Sequence, residues 1–306
     1  MSAPLIPYFQ DFLKRISLTQ GQRKELIKNH TTLRERLEQD YEISPLIEEI
    51  FLQGSYKRNT IVRHKDGKHS DVDIVVVLKL DKNKYSPDDA IQIFTPFLRE
   101  HYKGWCRRQT HSWGIKLPNV HMDLIPAVSP YLPKTNILFN NDISRWKREP
   151  LYIPNRKEDK WQKTDPLHIN RWTRAKNERC NGHFTDVVKC IKWWRRVQSP
   201  SAKRLKGYPL EYLVGQCCPD GITSVEEGIV RTFNNMVTYC WNATISVCRQ
   251  LPGNNVFEGM SNKQYNEFDQ KLCEAADIAN RAYNAKKVKE AVELWSKLLG
   301  DQFGNI

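Results

Sequence analysis

The sequence predicts an α/β N-terminal lobe with a central mixed sheet, residues 1–160, followed by a mostly helical C-terminal lobe, residues 161–306. Three observations carry that expectation. Val75, Val76, Val77 and Leu78 form a continuous apolar run, which suits a central strand buried on both faces. Residues 112–117 and 120–126 read as adjacent strands separated by the Pro118-Asn119 turn. From Asp165-Pro166 onward the apolar residues recur with a helical period instead.

The whole chain narrows the classes further. Its 306 residues can bury a sizeable core, and 40% hydrophobic with 27% charged residues is a soluble globular composition. The net charge of +13 suits polyphosphate substrates, nucleic acid or a plainly solvated basic surface. The eight cysteines show neither a Cys-x-x-Cys pair nor a matching His spacing, so no zinc site is expected. Several lie among apolar helical residues, as reduced thiols of a cytoplasmic protein do. Pro4, Pro7 and Asp11 interrupt the N-terminal apolar residues, which excludes a signal peptide or membrane span there. The expected location is the cytoplasm.

In chain order, residues 4–16 form a short amphipathic segment. Thr19 then reads as the N-cap of a long helix to Gln39, with Leu26, Ile27, Leu33 and Leu37 as its apolar stripe. Residues 48–52 lead into a Gly54-Ser55 turn surrounded by Lys57, Arg58, Arg63, His64, Lys65 and Lys68. After the Val-rich strand, residues 86–102 read as one helix, opened by Ser86-Pro87 with Asp88 and Asp89 in its first turn. Residues 130–165, rich in Pro, Asn, Lys and Asp, read as a crossover between lobes with a strand-like stretch at 151–154. In the helix over 184–196, Val187, Ile191 and Trp194 share a face. A turn-rich loop at 251–256 precedes a helix over 261–285, and an amphipathic helix over 288–299 ends at Gly300.

The chemistry concentrates where the first strand begins. Alternate side chains of a strand share a face, so Asp71 and Asp73 project together while Val72 and Ile74 point the other way. Asp123, on the strand over 120–126, supplies a third carboxylate. Each close pair of such charges repels by about 4 kcal/mol at about 4 Å under an effective dielectric of about 20. Hard oxygen donors of this kind suit Mg²⁺ or Mn²⁺, bound through carboxylates and substrate phosphates. Two ions can activate a hydroxyl and stabilise departing pyrophosphate. Glycine at 54 lets backbone approach a phosphate closely, and the Ser55 hydroxyl can donate to it. An isolated Asp-x-Asp is common in turns and calcium loops. In combination with the Gly-Ser turn and the later Asp, it points to metal-dependent nucleotidyl transfer from a nucleoside triphosphate.

Gly54-Ser55, Asp71-Val72-Asp73 and Asp123 resemble the catalytic signature of the DNA polymerase beta-like nucleotidyltransferase superfamily. Within it the chain resembles the cyclic GMP-AMP synthase and oligoadenylate synthase branch, above all the bacterial CD-NTases, which make cyclic oligonucleotides in anti-phage signalling. The resemblance spans residues 45–285. It implies a polymerase beta-like catalytic lobe, a helix over 19–39 that braces both lobes, and nucleotides held in the cleft between them. It also implies that Asp71, Asp73 and Asp123 hold two Mg²⁺ or Mn²⁺ ions, with Asp123 nearest the attacking ribose hydroxyl. Gln53, Gly54, Ser55 and Lys192 would steady the triphosphate, with Lys189 in reserve and Arg58 in the adjoining loop. Tyr208 would stack on a base. The implied partners are ribonucleoside triphosphates, ATP among them, and a downstream effector that reads the product of a monomeric enzyme without a required nucleic acid or membrane. Two departures stand out: Asn59 where the family has glycine, in a turn that Asn tolerates, and Gly207 where it has serine. A linear polymerase or RNA-tailing enzyme shares every catalytic residue and is the enzymatic alternative. An inactive nucleotide- or RNA-binding module is the alternative of another class.

Overall fold

The computed structural model describes residues 5–64, 69–130, 147, 149–198, 207–242 and 260–304. Lys65, Lys68, Lys206, Cys248 and the loop at 251–256 lie outside these residues. The chain forms two compact units, one of Thr19–Arg58 and Arg63–Trp172, the other of Met1–Leu18, Asn59–Val62 and Thr173–Ile306.

The first unit is α/β. It contains the helix α2 (Gln20–Gln39), strand β1 (Ile47–Gln53), a single helical turn α3 (Gly54–Lys57), β2 (Ser70–Leu78), helices α4 (Pro87–Gln92) and α5 (Thr95–His101), then β3 (Cys106–Arg108), β4 (Trp113–Lys116), β5 (Val120–Val128), β6 (Leu151–Asn155) and β7 (Lys160–Thr164). Its sheet runs β1-β2-β5-β4-β3, with the β6–β7 hairpin attached to β5 through Val128 and Tyr152. Among the described residues only the central β2–β5 pair is parallel, and the helices and strands between them supply the long connection such a pair requires.

Burial along β2 and β5 changes character midway. From Ile74 to Leu78 and from Leu124 to Val128 every residue is buried, whereas at the start of each strand buried residues alternate with 71 and 73, and with 121 and 123. The sheet is therefore covered on both faces in its second half and open on one face in its first. Val75, Val77, Ile125 and Ala127 continue the face that carries the aspartates, and Leu151 closes over them, with Ile153 and Leu167 packed alongside. On α2, Thr19 forms a capping box with Gln22. The helix buries Leu26, His30, Leu33 and Leu37 and packs on β2 and β5. Ile27, expected in that stripe, is 50% exposed, because the buried residues recur at intervals of three and four and 27 falls off their face.

Two other expectations are corrected. Residues 86–102 make two short helices rather than one: Pro96 lacks an N–H and its ring clashes with the carbonyl of Gln92, so α4 stops there and a new helix starts at Thr95. Within the expected crossover over 130–165, the strand-like stretch at 151–154 is indeed strand β6, but with β7 it forms an antiparallel hairpin of this same sheet.

The second unit is helical: α1 (Ile6–Ile16), α7 (Phe184–Gln198), α8 (Gly207–Cys217), α9 (Val225–Asn242), α10 (Asn262–Asn284) and α11 (Val288–Leu299), while α6 (Pro166–Arg179) runs from one unit into the other. The centre is α7, in which every residue from Val187 to Trp194 is buried. Phe9 stacks edge-on against Trp295 and Phe303, and Phe12 against Phe303, so the first helix shares a core with the last. Capping follows the sequence: Ser261 forms a capping box at the start of α10, and Gly300, at φ 78°, ends α11. No helix among the described residues is long and apolar enough to cross a membrane.

Candidate active site

Strand β1 delivers the Gly-Ser turn to the first aspartates. Its last residue, Gln53, lies in register with Asp73. The chain then turns at Gly54, whose φ of 76° disfavours any residue with a side chain. Space enforces the same choice, since a Cβ there would overlap Asp73 Oδ2 and stand 2.8 Å from its Cγ. One helical turn follows, with Ser55 half-buried and Arg58 N–H donating to Gly54 O at 3.1 Å. Asn59 takes φ 55°, a left-handed conformation that Asn tolerates better than most residues.

Parallel pairing sets Asp73 beside Asp123 and Asp71 beside His121. All three aspartates line one pocket of about 220 Å³ on the open half of the sheet, together with Gln109, Gly114, Lys116 and His121. Asp71 lies between two imidazoles at the long distance of 3.4 Å, His64 Nε2 facing Oδ2 and His121 Nδ1 facing Oδ1. The His69 ring stacks on His121 with centroids 4.3 Å apart. Asp123 accepts a 2.8 Å hydrogen bond from Gln109 Nε2. Burial first, and the charge of Asp71 second, push the Asp123 carboxyl above its usual range against the opposing pull of Gln109 and Lys116. Burial likewise lowers His121, with Asp71 opposing.

This donor set fits a hard divalent cation. Three carboxylates share one face and one pocket, and their oxygens are the hard donors that such an ion takes. Among the described residues no three Asp, Glu, His or Cys side chains enclose an ion by themselves. Water and substrate phosphate would complete the coordination, as they do for Mg²⁺.

Lys189, Lys192 and Tyr208 belong to the helical unit. Lys192 is buried, ion-paired with Glu211, and donates to Thr60 O at 3.0 Å. Lys189 is equally buried and bonds Asp186 at 2.9 Å. Tyr208 is half-buried at the start of α8, its ring tilted 6.4 Å from that of Tyr212. Gln109, Gly114, Lys116 and His121 were not expected from sequence. His121 could have been, because it lies two residues before Asp123 on the same strand face. Gln109 follows the three-residue edge strand β3, which has no legible pattern.

Residues 4–177 match the model of the Second Messenger Oligonucleotide or Dinucleotide Synthetase domain. The cyclic AMP-AMP-GMP synthase of Enterobacter hormaechei is 31% identical over 98% of this chain and 92% of its own length. A probable cyclic AMP-AMP-GMP nucleotide synthase of Salmonella paratyphi B is 33% identical over 96% and 91%. Among solved structures, the Vibrio cholerae di-nucleotide cyclase in complex with ATP and GTP superposes with a TM-score of 0.76 at 13% identity, covering 100% of this chain and 98% of that one, a likeness of fold. With Asp71, Asp73 and Asp123 on one open sheet face beside the Gly-Ser turn, and with that match across more than half its length, the chain belongs to the bacterial CD-NTases, nucleotidyltransferases that synthesise second-messenger oligonucleotides.

Proposed function

We propose that this chain condenses ATP and GTP into a cyclic trinucleotide of two adenylates and one guanylate, releasing pyrophosphate at each step. The names of the two relatives above support the product, and the gathering of Asp71, Asp73 and Asp123 in one pocket supports the chemistry. In this reading the three aspartates hold two Mg²⁺ or Mn²⁺ ions, and Asp123 faces the attacking ribose hydroxyl. The bound ions would make that hydroxyl a better nucleophile and neutralise the leaving pyrophosphate. Gly54 brings backbone close to the triphosphate, and Gln53, Ser55 and Arg58 border it. Tyr208 carries a base by stacking. Lys192 is already balanced by Glu211, so it meets phosphate only by exchanging that partner; Lys189 stands in the same position with Asp186. The enzyme works as a monomer in the cytoplasm, in anti-phage defence, and an effector recognises its product.

Mass spectrometry of products from the four ribonucleotides, with Mg²⁺ or Mn²⁺, tests this directly. A phosphatase-resistant species with the mass of a ring of two adenylates and one guanylate is expected. A linear, phosphatase-sensitive product, or one attached to added RNA, would replace this reading with the tailing enzyme.

A further inference from the structure

Asp123 is approached closely from β4 and from the residue that follows β3. Gly114 on β4 is in register with Asp123 on β5. Its φ lies outside the left-handed region, so no backbone demand calls for glycine. Space does: a Cβ at 114 would overlap Gln109 Nε2, stand 3.1 Å from its Cδ, and press on Asp123 Oδ1 at 3.4 Å. The amide of Gln109 occupies that opening and donates to Asp123 Oδ1 at 2.8 Å. Its backbone is fixed at both polar groups, the N–H donating to Ser112 O at 2.8 Å and the carbonyl accepting from Arg156 Nη1 at 3.3 Å. A methyl at 114 would therefore displace the Gln109 amide from its bond to Asp123.

We propose that Gln109 is a positioning residue for Asp123, and that Gly114 exists to admit it. Gln109 holds one carboxylate oxygen and thereby sets the direction of the other, which has no hydrogen-bond partner among the described residues. Partners of this kind orient metal-binding carboxylates, and losing one costs about 10- to 100-fold in metal affinity. The inference rests on the reading of Asp123 as a metal ligand.

The test is Mn²⁺ binding to the full chain without nucleotide, followed by the paramagnetic signal of free Mn²⁺. Gln109→Leu and Gly114→Ala should each weaken binding by about 10- to 100-fold. The double variant should be no weaker than either single, because both break one contact. In turnover, both should raise the Mn²⁺ concentration needed for half-maximal rate by a larger factor than the KM for ATP. A structural defect would instead lower the melting temperature in metal-free buffer, and Gln109, exposed as a whole residue, should not do so on substitution. If Gly114→Ala fails to fold, Gln109→Leu decides alone. Wild-type Mn²⁺ affinity in Gln109→Leu, or additive losses in the double variant, overturns the proposal. Asp123→Asn separates the two layers: weak binding there with normal binding in Gln109→Leu rejects the positioning role only, whereas normal binding in Asp123→Asn rejects the ligand assignment and this inference with it.

Discussion

The ammonium of Lys192 and the carboxylate of Glu211 meet inside the helical unit, each on a buried side chain, and Lys192 also donates to the carbonyl of Thr60. That second bond ties residues 59–62, which follow the Gly-Ser turn in sequence, to α7, and Arg196 adds a bond to Val62 O at 3.3 Å. Removing one partner strands the other as a buried charge, which costs about 3–5 kcal/mol. Glu211→Ala should therefore destabilise strongly in urea unfolding, while Lys192→Met with Glu211→Leu should recover much of the loss. If the double variant keeps its stability and its KM for ATP, Lys192 has no phosphate to meet.

Gly54→Ala should abolish most turnover with a modest loss of stability. The added methyl displaces the Asp73 carboxylate and strains a φ of 76°. Misplacing a catalytic group by about 1 Å costs about a hundredfold, and left-handed strain about 1–2 kcal/mol. Pyrophosphate release and thermal melting measure the two effects separately.

Neutralising any one of Asp71, Asp73 or Asp123 as asparagine should eliminate pyrophosphate release. Because the carboxylates repel when no cation lies between them, each variant should melt no lower than wild type in EDTA, and wild type alone should gain stability on adding Mn²⁺. A variant that turns over normally loses its place as a ligand.

Tyr208→Ala should weaken nucleotide binding by about 10- to 100-fold, since stacking a base on an aromatic ring is worth about 1–3 kcal/mol. Tyr208→Phe should bind as wild type. Unchanged affinity in the alanine variant would leave Tyr208 a packing partner of Tyr212.

A pH effect should arise in the helical unit. Burial raises Glu226 to about 6, against the opposing bond from Trp295 Nε1 at 2.9 Å. The folded state thus holds its proton where the unfolded chain has lost it, so this contribution is full below about 4.5 and is lost as pH rises to about 6. Glu226→Gln should flatten the stability profile over that window while its side-chain oxygen still accepts from Trp295.

The gathering of the carboxylates on one sheet was legible because its physics is local. Period two put Asp71 and Asp73 on one face, the Val75–Leu78 run announced burial on both, and Pro118-Asn119 marked the β4–β5 turn. What escaped is set by distant chain. Strand β7, Lys-Trp-Gln-Lys-Thr, is polar and forms only because β6 offers it an edge. Gln109 acquires its role from a glycine on the next strand and an aspartate on the one after. The ion pair of Lys192 with Glu211 was not legible either, because the two residues sit on different helices.

Phe9 and Phe12 share their core with Trp295 and Phe303, whereas the α/β unit is complete once residue 172 has been made. At about 5–20 residues per second of synthesis, the sheet has time to assemble on the ribosome while α1, which also packs on α7 and α9, waits for Trp295 and Phe303 to complete its core. The helical unit thus closes later in synthesis than the sheet. Chaperone demand should fall on α1 and not on the catalytic sheet.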